Sequence, residues 1–156
     1  MNNPMRILMR VPVPWVFVLT YLVGVGLEFT RSHTIRPKTA LVSTIIGGVL
    51  FAAGAVIACW GLVTFHKART TTVPGKASAK LVTWGPYRFT RNPMYIGLTL
   101  AYLGEAGLLK QMWPVLLLPL TIAYLHGTVI PVEEAKLKEV FQGEYEQYRA
   151  RVRRWI

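Results

Sequence analysis

The apolar residues of this chain come in long blocks rather than in alternation. Residues 11–29 contain one charged side chain, Glu28, and residues 41–65 contain none over 25 positions. Residues 96–109 carry only Glu105, and residues 112–132 carry no Asp, Glu, Lys or Arg. A bilayer core of about 30 Å takes roughly 20 apolar residues as helix. The second and fourth blocks meet that length, the first nearly does, and the third is short. The third is therefore expected to tilt, to lie against protein, or to be lengthened by residues 93–95. The pattern predicts an all-α fold, a multi-pass membrane helical bundle with about four transmembrane helices. The expected spans are about residues 11–30, 41–65, 93–109 and 112–131, in one membrane domain covering residues 1–156.

Between the second and third blocks, residues 66–92 form the one long non-apolar stretch. A connection of that length inside a small protein is uncommon and usually functional. Its turn residues, Pro74-Gly75 and Trp84-Gly85-Pro86, point to an ordered loop. Asn92-Pro93 reads as a helix start, since Asn can cap and Pro suits the first helical position. Gly104, Gly107 and Lys110-Gln111 mark the far turn, and Pro119 is expected to bend the fourth span. Gly47, Gly48, Gly54 and Gly61 in the second span suit close helix approach. From Glu133 the pattern changes. Leu137, Val140, Phe141, Tyr145, Tyr148 and Val152 recur at three and four residues among Lys, Glu, Gln and Arg. This predicts a C-terminal amphipathic helix over 133–150, on the membrane surface or packed over the loop.

Composition strengthens the membrane reading. The chain is 53% hydrophobic and 16% charged, against about 25% charged in soluble domains. The net charge of +11 first suggests nucleic acid. The placement of the basic residues argues against that partner and for the lipid bilayer. Lys67, Arg69, Lys76, Lys80, Arg88 and Arg91 sit in one loop, and Arg149, Arg151, Arg153 and Arg154 in the tail, flanking apolar blocks as topology demands. Putting both groups in the cytosol places both termini there, although Arg31, Arg36 and Lys38 then lie in an outer loop. The single cysteine, Cys59, forms no intrachain disulfide. The first apolar block is longer than a signal core and reads as a retained span. Oligomeric state is not legible.

The chemistry that remains is limited. His33, His66 and His126 lack metal-ligand spacing, and no nucleophile elbow, phosphate loop or dinucleotide fingerprint occurs. If the third and fourth spans form a hairpin, residues 84–97 and the pair Glu133-Glu134 meet at one membrane surface. A helix N-terminus at Asn92 suits a carboxylate. Arg88 and Arg91 add positive charge, the two acids accept from an amine or hydroxyls, and Tyr87 and Tyr95 offer rings and phenols. The set matches a zwitterionic ligand with an aromatic part. It equally matches a capped helix with Arg–Glu pairs at the headgroup boundary. His126, at membrane depth, is either a functional group or a hydrogen-bonded structural one. Glu134, His126 and Arg91 are the catalytic candidates. Glu105 reads as solvated, Glu28 as interfacial, and the tail arginines with Trp155 as surface anchors.

These residues carry a resemblance. Gly85-Pro-Tyr87-Arg-Phe-Thr-Arg91-Asn92-Pro93-Met-Tyr95-Ile-Gly97, followed by Glu133-Glu134-x-x-Leu137-x-x-x-Phe141-x-x-x-Tyr145-x-x-Tyr148, resembles the isoprenylcysteine carboxyl methyltransferases and their phospholipid methyltransferase relatives. The resemblance covers about residues 66–154. It implies an integral membrane enzyme with S-adenosyl-L-methionine as methyl donor, bound at the cytosolic face. Carried over by position, it implies donor contacts at Ala79, Lys80, Leu81, Val82, Tyr87, Asn92, Pro93, Met94, Tyr95, Glu133 and Glu134. The implied acceptor is lipophilic or small, in the first instance an isoprenylcysteine-like carboxylate. The alternatives are a phospholipid or other amine, or a non-enzymatic membrane binding module that keeps the fold. Three departures stand out. Asn92 occupies a position where His is common. Gln142-Gly143 follows Phe141 where the family has Gly. Residues 127–132 contain no Arg, whereas the eukaryotic carboxyl methyltransferases place an Arg shortly before the acid pair to meet the carboxylate.

Overall fold

The computed structural model describes residues 12–30, 40–69 and 80–156. Within them the chain is largely helical. Its elements are α1 (Val13–Thr30), α2 (Ala40–Lys67), a 3-10 turn (Gly85–Arg88), α3 (Pro93–Leu109), α4 (Trp113–Tyr124), a π turn (Leu125–Val129) and α5 (Ile130–Arg151). Three helical stretches are long and apolar enough to cross a membrane: α1, α2 and the continuous run Trp113–Arg151. Their outward faces are rich in exposed Leu, Val, Ile and Phe, as expected where lipid rather than water is the neighbour.

The short third block resolves by two of the routes expected for it. α3 begins at Pro93 and runs 17 residues, about 25 Å. It is also enclosed, packing most extensively against α2 and touching α1 and α4. Small residues make that contact. Gly47, Gly54 and Gly61 lie buried along α2, and their spacing of seven keeps them on one face, because seven residues make about two turns. Opposite them stand Gly97, Ala101 and Gly104 of α3. A Cβ added at Gly97 would lie 2.6 Å from the Ala58 backbone nitrogen. One added at Gly54 would collide with the Ala101 nitrogen and the Gly97 carbonyl. Lipid tails are as apolar as leucine, so such helices associate through close backbone packing instead of hydrophobic exclusion.

The other face of α3 meets α1 and α4 through tyrosines. Tyr21 and Tyr102 stack edge to face at 4.9 Å, and Phe17 lies 6.1 Å from Tyr102. The phenols are spent locally: Tyr102 donates to the Pro114 carbonyl at 2.9 Å and Tyr21 to Gln111 Oε1 at 2.9 Å. Glu28, expected to be merely interfacial, accepts from the Met112 and Trp113 amides at 3.3 and 3.2 Å. It caps α4 from a different helix.

The reading of residues 112–150 needs correction. The fourth apolar helix does not stop at 131 before a separate surface helix. α4, the π turn and α5 form one 39-residue helical run. Pro131 cannot donate to the carbonyl four residues back. The chain answers by widening: the Ile130 amide donates to Leu125, five back, and the helix continues. The break comes later, at Gln142, whose φ of 42° and ψ of −119° are non-helical. Glycine populates that region freely and a side chain does not.

Two consequences are measurable. Gly54→Leu should destabilise the folded protein by about 1–3 kcal/mol through overpacking, read as a lowered midpoint in denaturant-titrated micelles. Gly26→Leu, with open space around the added carbon, should not, and equal effects would refute the packing account. Gln142→Gly should raise the midpoint by about 1 kcal/mol, and a lowered midpoint would show that the bend is not strained.

Candidate functional site

The site is assembled at the end of the α2–α3 hairpin. Gly85 has a φ of 64°, and a Cβ there would sit 2.9 Å from Thr64 Oγ1 of α2. Only glycine lets the 3-10 turn lie this close. The turn then drops Tyr87 into a small core with Val82 and Ala68, its ring edge-on to Phe65 at 5.1 Å. The Tyr87 carbonyl accepts from Tyr148 Oη at 2.8 Å, which ties α5 down over the loop.

Glu133 and Glu134 are neighbours with different surroundings. Tyr95 Oη donates to both oxygens of Glu133, at 2.7 and 2.9 Å. Glu134 lies between two guanidiniums. Arg91 Nη2 is 3.1 Å from Oε1. Arg154 grips both oxygens, Nε at 3.1 Å and Nη2 at 2.6 Å. This bidentate, charge-assisted geometry is among the stronger polar contacts a protein makes, and it raises the pKa of Arg154 above its usual value. Arg91 also reaches Tyr145 Oη at 3.4 Å.

Two buried polar atoms here lack a hydrogen-bond partner among the described residues: Tyr87 Oη and Arg91 Nε. Burial pushes the Tyr87 phenol well above the ordinary tyrosine range, and nearby Tyr148 and Glu133 push it further. It is a neutral hydroxyl beside a carboxylate, free to donate or accept.

The expected site residues distribute as follows. Tyr87, Tyr95 and Glu133 form one group, and Arg91, Asn92 and Glu134 form a second. Val82 packs on Tyr87, Leu81 is half-buried and Lys80 is exposed. Pro93 is fully buried, and Met94 lies against Gly61. Ala79 lies outside the described residues. Asn92 does not cap α3 with its side chain. Its Nδ2 donates instead to the Arg154 carbonyl at 2.8 Å, and its own amide is taken by Thr90 Oγ1 at 3.2 Å. His126 is exposed, and its Nδ1 accepts from Trp155 Nε1 at 3.1 Å. The sequence reading missed Thr90, Tyr145, Tyr148 and Arg154 as part of this assembly. Only the tyrosine periodicity after Glu133 hinted at the middle two.

A family model described as phospholipid methyltransferase matches residues 42–144, from α2 to just past the bend in α5. The chain belongs to the phospholipid methyltransferase family. The match takes in the α2–α3 hairpin, the Tyr87 turn and both acids, while Tyr145, Tyr148 and Arg154 lie beyond it. The chain is also 39% identical over 72 residues to Protein-S-isoprenylcysteine O-methyltransferase of Schizosaccharomyces pombe. That match spans 46% of this chain and 30% of the relative's length. No solved structure matches the chain.

The bracketing of Glu134 has an energetic consequence. Glu134→Ala leaves two guanidiniums facing each other in a half-closed environment and should cost about 2 kcal/mol of stability. Glu146→Ala, which removes the exposed pair with Lys138, should leave the unfolding midpoint unmoved. Equal effects in the two variants would show the Glu134 cluster to be solvated.

Proposed function

We propose that this chain is an S-adenosylmethionine-dependent methyltransferase acting at a membrane on a lipophilic or small acceptor. The observation that carries the reading is the group Tyr87, Tyr95 and Glu133, a carboxylate held by one phenol and near a buried second phenol that has no partner among the described residues. This set fits the donor. Glu133 suits an ammonium or ribose hydroxyls, the unpaired Tyr87 hydroxyl suits a further polar group, and the aromatic faces suit a base. Val82 and Met94 supply apolar wall. In this reading the site and both termini face the cytosol.

When bound, S-adenosylmethionine supplies a methyl group on a sulfonium, transferred by in-line displacement. The work of the protein is to align the partners and exclude water. Tyr95 fixes the orientation of Glu133, and Pro93 with the enclosed start of α3 makes the wall rigid. A carboxylate acceptor needs no base. An amine must shed a proton first. Glu133, held by a phenol and by no cation among the described residues, is placed to take it.

Carboxyl O-methylation of an isoprenylcysteine-like acceptor is the first reading, supported by the name of the fission-yeast relative. Amine N-methylation of a phospholipid is the second, supported by the family match and by the proton-accepting position of Glu133. Titration calorimetry of the detergent-solubilised protein with S-adenosylmethionine tests the donor site. Glu133→Ala and Tyr95→Ala should each weaken binding by roughly tenfold or more. Unchanged affinity in both would remove these residues from the site. Transfer of labelled methyl to a prenylcysteine and phospholipid panel then separates the acceptors, as a base-labile ester or as methylated headgroups.

A further inference from the structure

Past α5 the chain turns extended at Val152, with φ −120° and ψ 127°, and lies against residues 90–92. Its backbone is held there: the Arg91 amide donates to the Arg153 carbonyl at 2.9 Å. Thr90 Oγ1 and Asn92 Nδ2 both donate to the Arg154 carbonyl, at 3.1 and 2.8 Å. The side chains add the bidentate Arg154–Glu134 contact and the Trp155–His126 hydrogen bond. This strap therefore occupies the Asn92 side-chain amide and both Glu134 oxygens, polar groups of the proposed donor site. It leaves Glu133, Tyr95 and Tyr87 untouched. It also lies beyond the residues matched to the family, which end at 144.

We propose that residues 152–155 are an autoinhibitory strap that competes with the methyl donor for Asn92 and Glu134. The inference rests on the donor-site reading above and adds to it a closed state. Donor binding must lift Arg154 from Glu134, and the strap must leave Asn92 and Glu134 for them to engage the ligand. Arg154 is the latch, because its guanidinium makes the one charge-assisted bidentate contact between strap and site.

The test compares S-adenosylmethionine affinity, by titration calorimetry in micelles, for the intact chain, Arg154→Gln and a chain lacking residues 153–156. Both altered forms should bind about tenfold more tightly. A second readout needs no variant. In the intact chain, saturating S-adenosylmethionine should speed tryptic cleavage after Arg153 and Arg154, followed by mass spectrometry. Unchanged or weaker affinity in both forms, or tail protection on adding the donor, would overturn the strap while leaving the donor site standing. Absence of donor binding in all three forms would overturn the functional reading and the strap with it.

Discussion

The close approach of α2 and α3 is the constraint on which the rest depends. The two helices meet backbone to backbone at Gly54, Gly97 and Gly104, a distance that leaves no room for a β-carbon. In a bilayer this packing replaces the hydrophobic drive that would join helices in water. It also sets the depth of the Asn92–Pro93 helix start relative to the end of α2. Only at that depth can the Gly85 turn fold onto Thr64 and bury Tyr87. A wider hairpin would still span the membrane, but it would separate Tyr87 from Tyr95 and dissolve the group that faces Glu133.

The second constraint is continuity. The run from Trp113 to Arg151 carries the acids to the loop on a rigid element, and the π turn permits this across Pro131. A helix that stopped at the proline would have delivered Glu133 and Glu134 on a flexible end. The π turn also shifts the angular register of everything after Val129 relative to α4. The faces that α5 shows to Tyr95 and Arg91 therefore cannot be read by extending the periodicity of α4.

Much of this was legible in the sequence, for identifiable reasons. Uninterrupted apolar blocks reveal helices because nothing else satisfies a backbone in lipid. Asn92-Pro93 revealed the start of α3, and residues 84–97 were expected to meet Glu133-Glu134, as Tyr95 and Arg91 do. The failures share a cause as well. The apolar block was read as a span over 112–131 followed by a separate helix from 133, because the change in composition there is local, but the helical run continues through the π turn to Arg151. Asn92 was read as a cap because Asn commonly is one, but its amide was claimed by the Arg154 carbonyl, 62 positions away. Glu28 was read as interfacial because the α4 amides it caps are 84 and 85 positions distant. Composition and spacing report what a residue can do locally, and long-range partners decide between the options.

The two adjacent glutamates make the same point within one site. Successive helical residues point about 100° apart, so Glu133 and Glu134 meet different partners, Tyr95 for the first and Arg91 with Arg154 for the second. The first meets a phenol, which orients the carboxylate through both oxygens. The second meets Arg91 and Arg154, which cancel the charge and hold it in a network with the tail. In the donor-site reading, a carboxylate oriented by a phenol and unpaired by cations is the one suited to meet a positively charged ligand. One clamped by guanidiniums is suited to hold structure until the clamp is released. The acid pair thus combines one carboxylate oriented by a phenol with one clamped by guanidiniums, and the asymmetry follows from helix geometry, with no difference in residue type required.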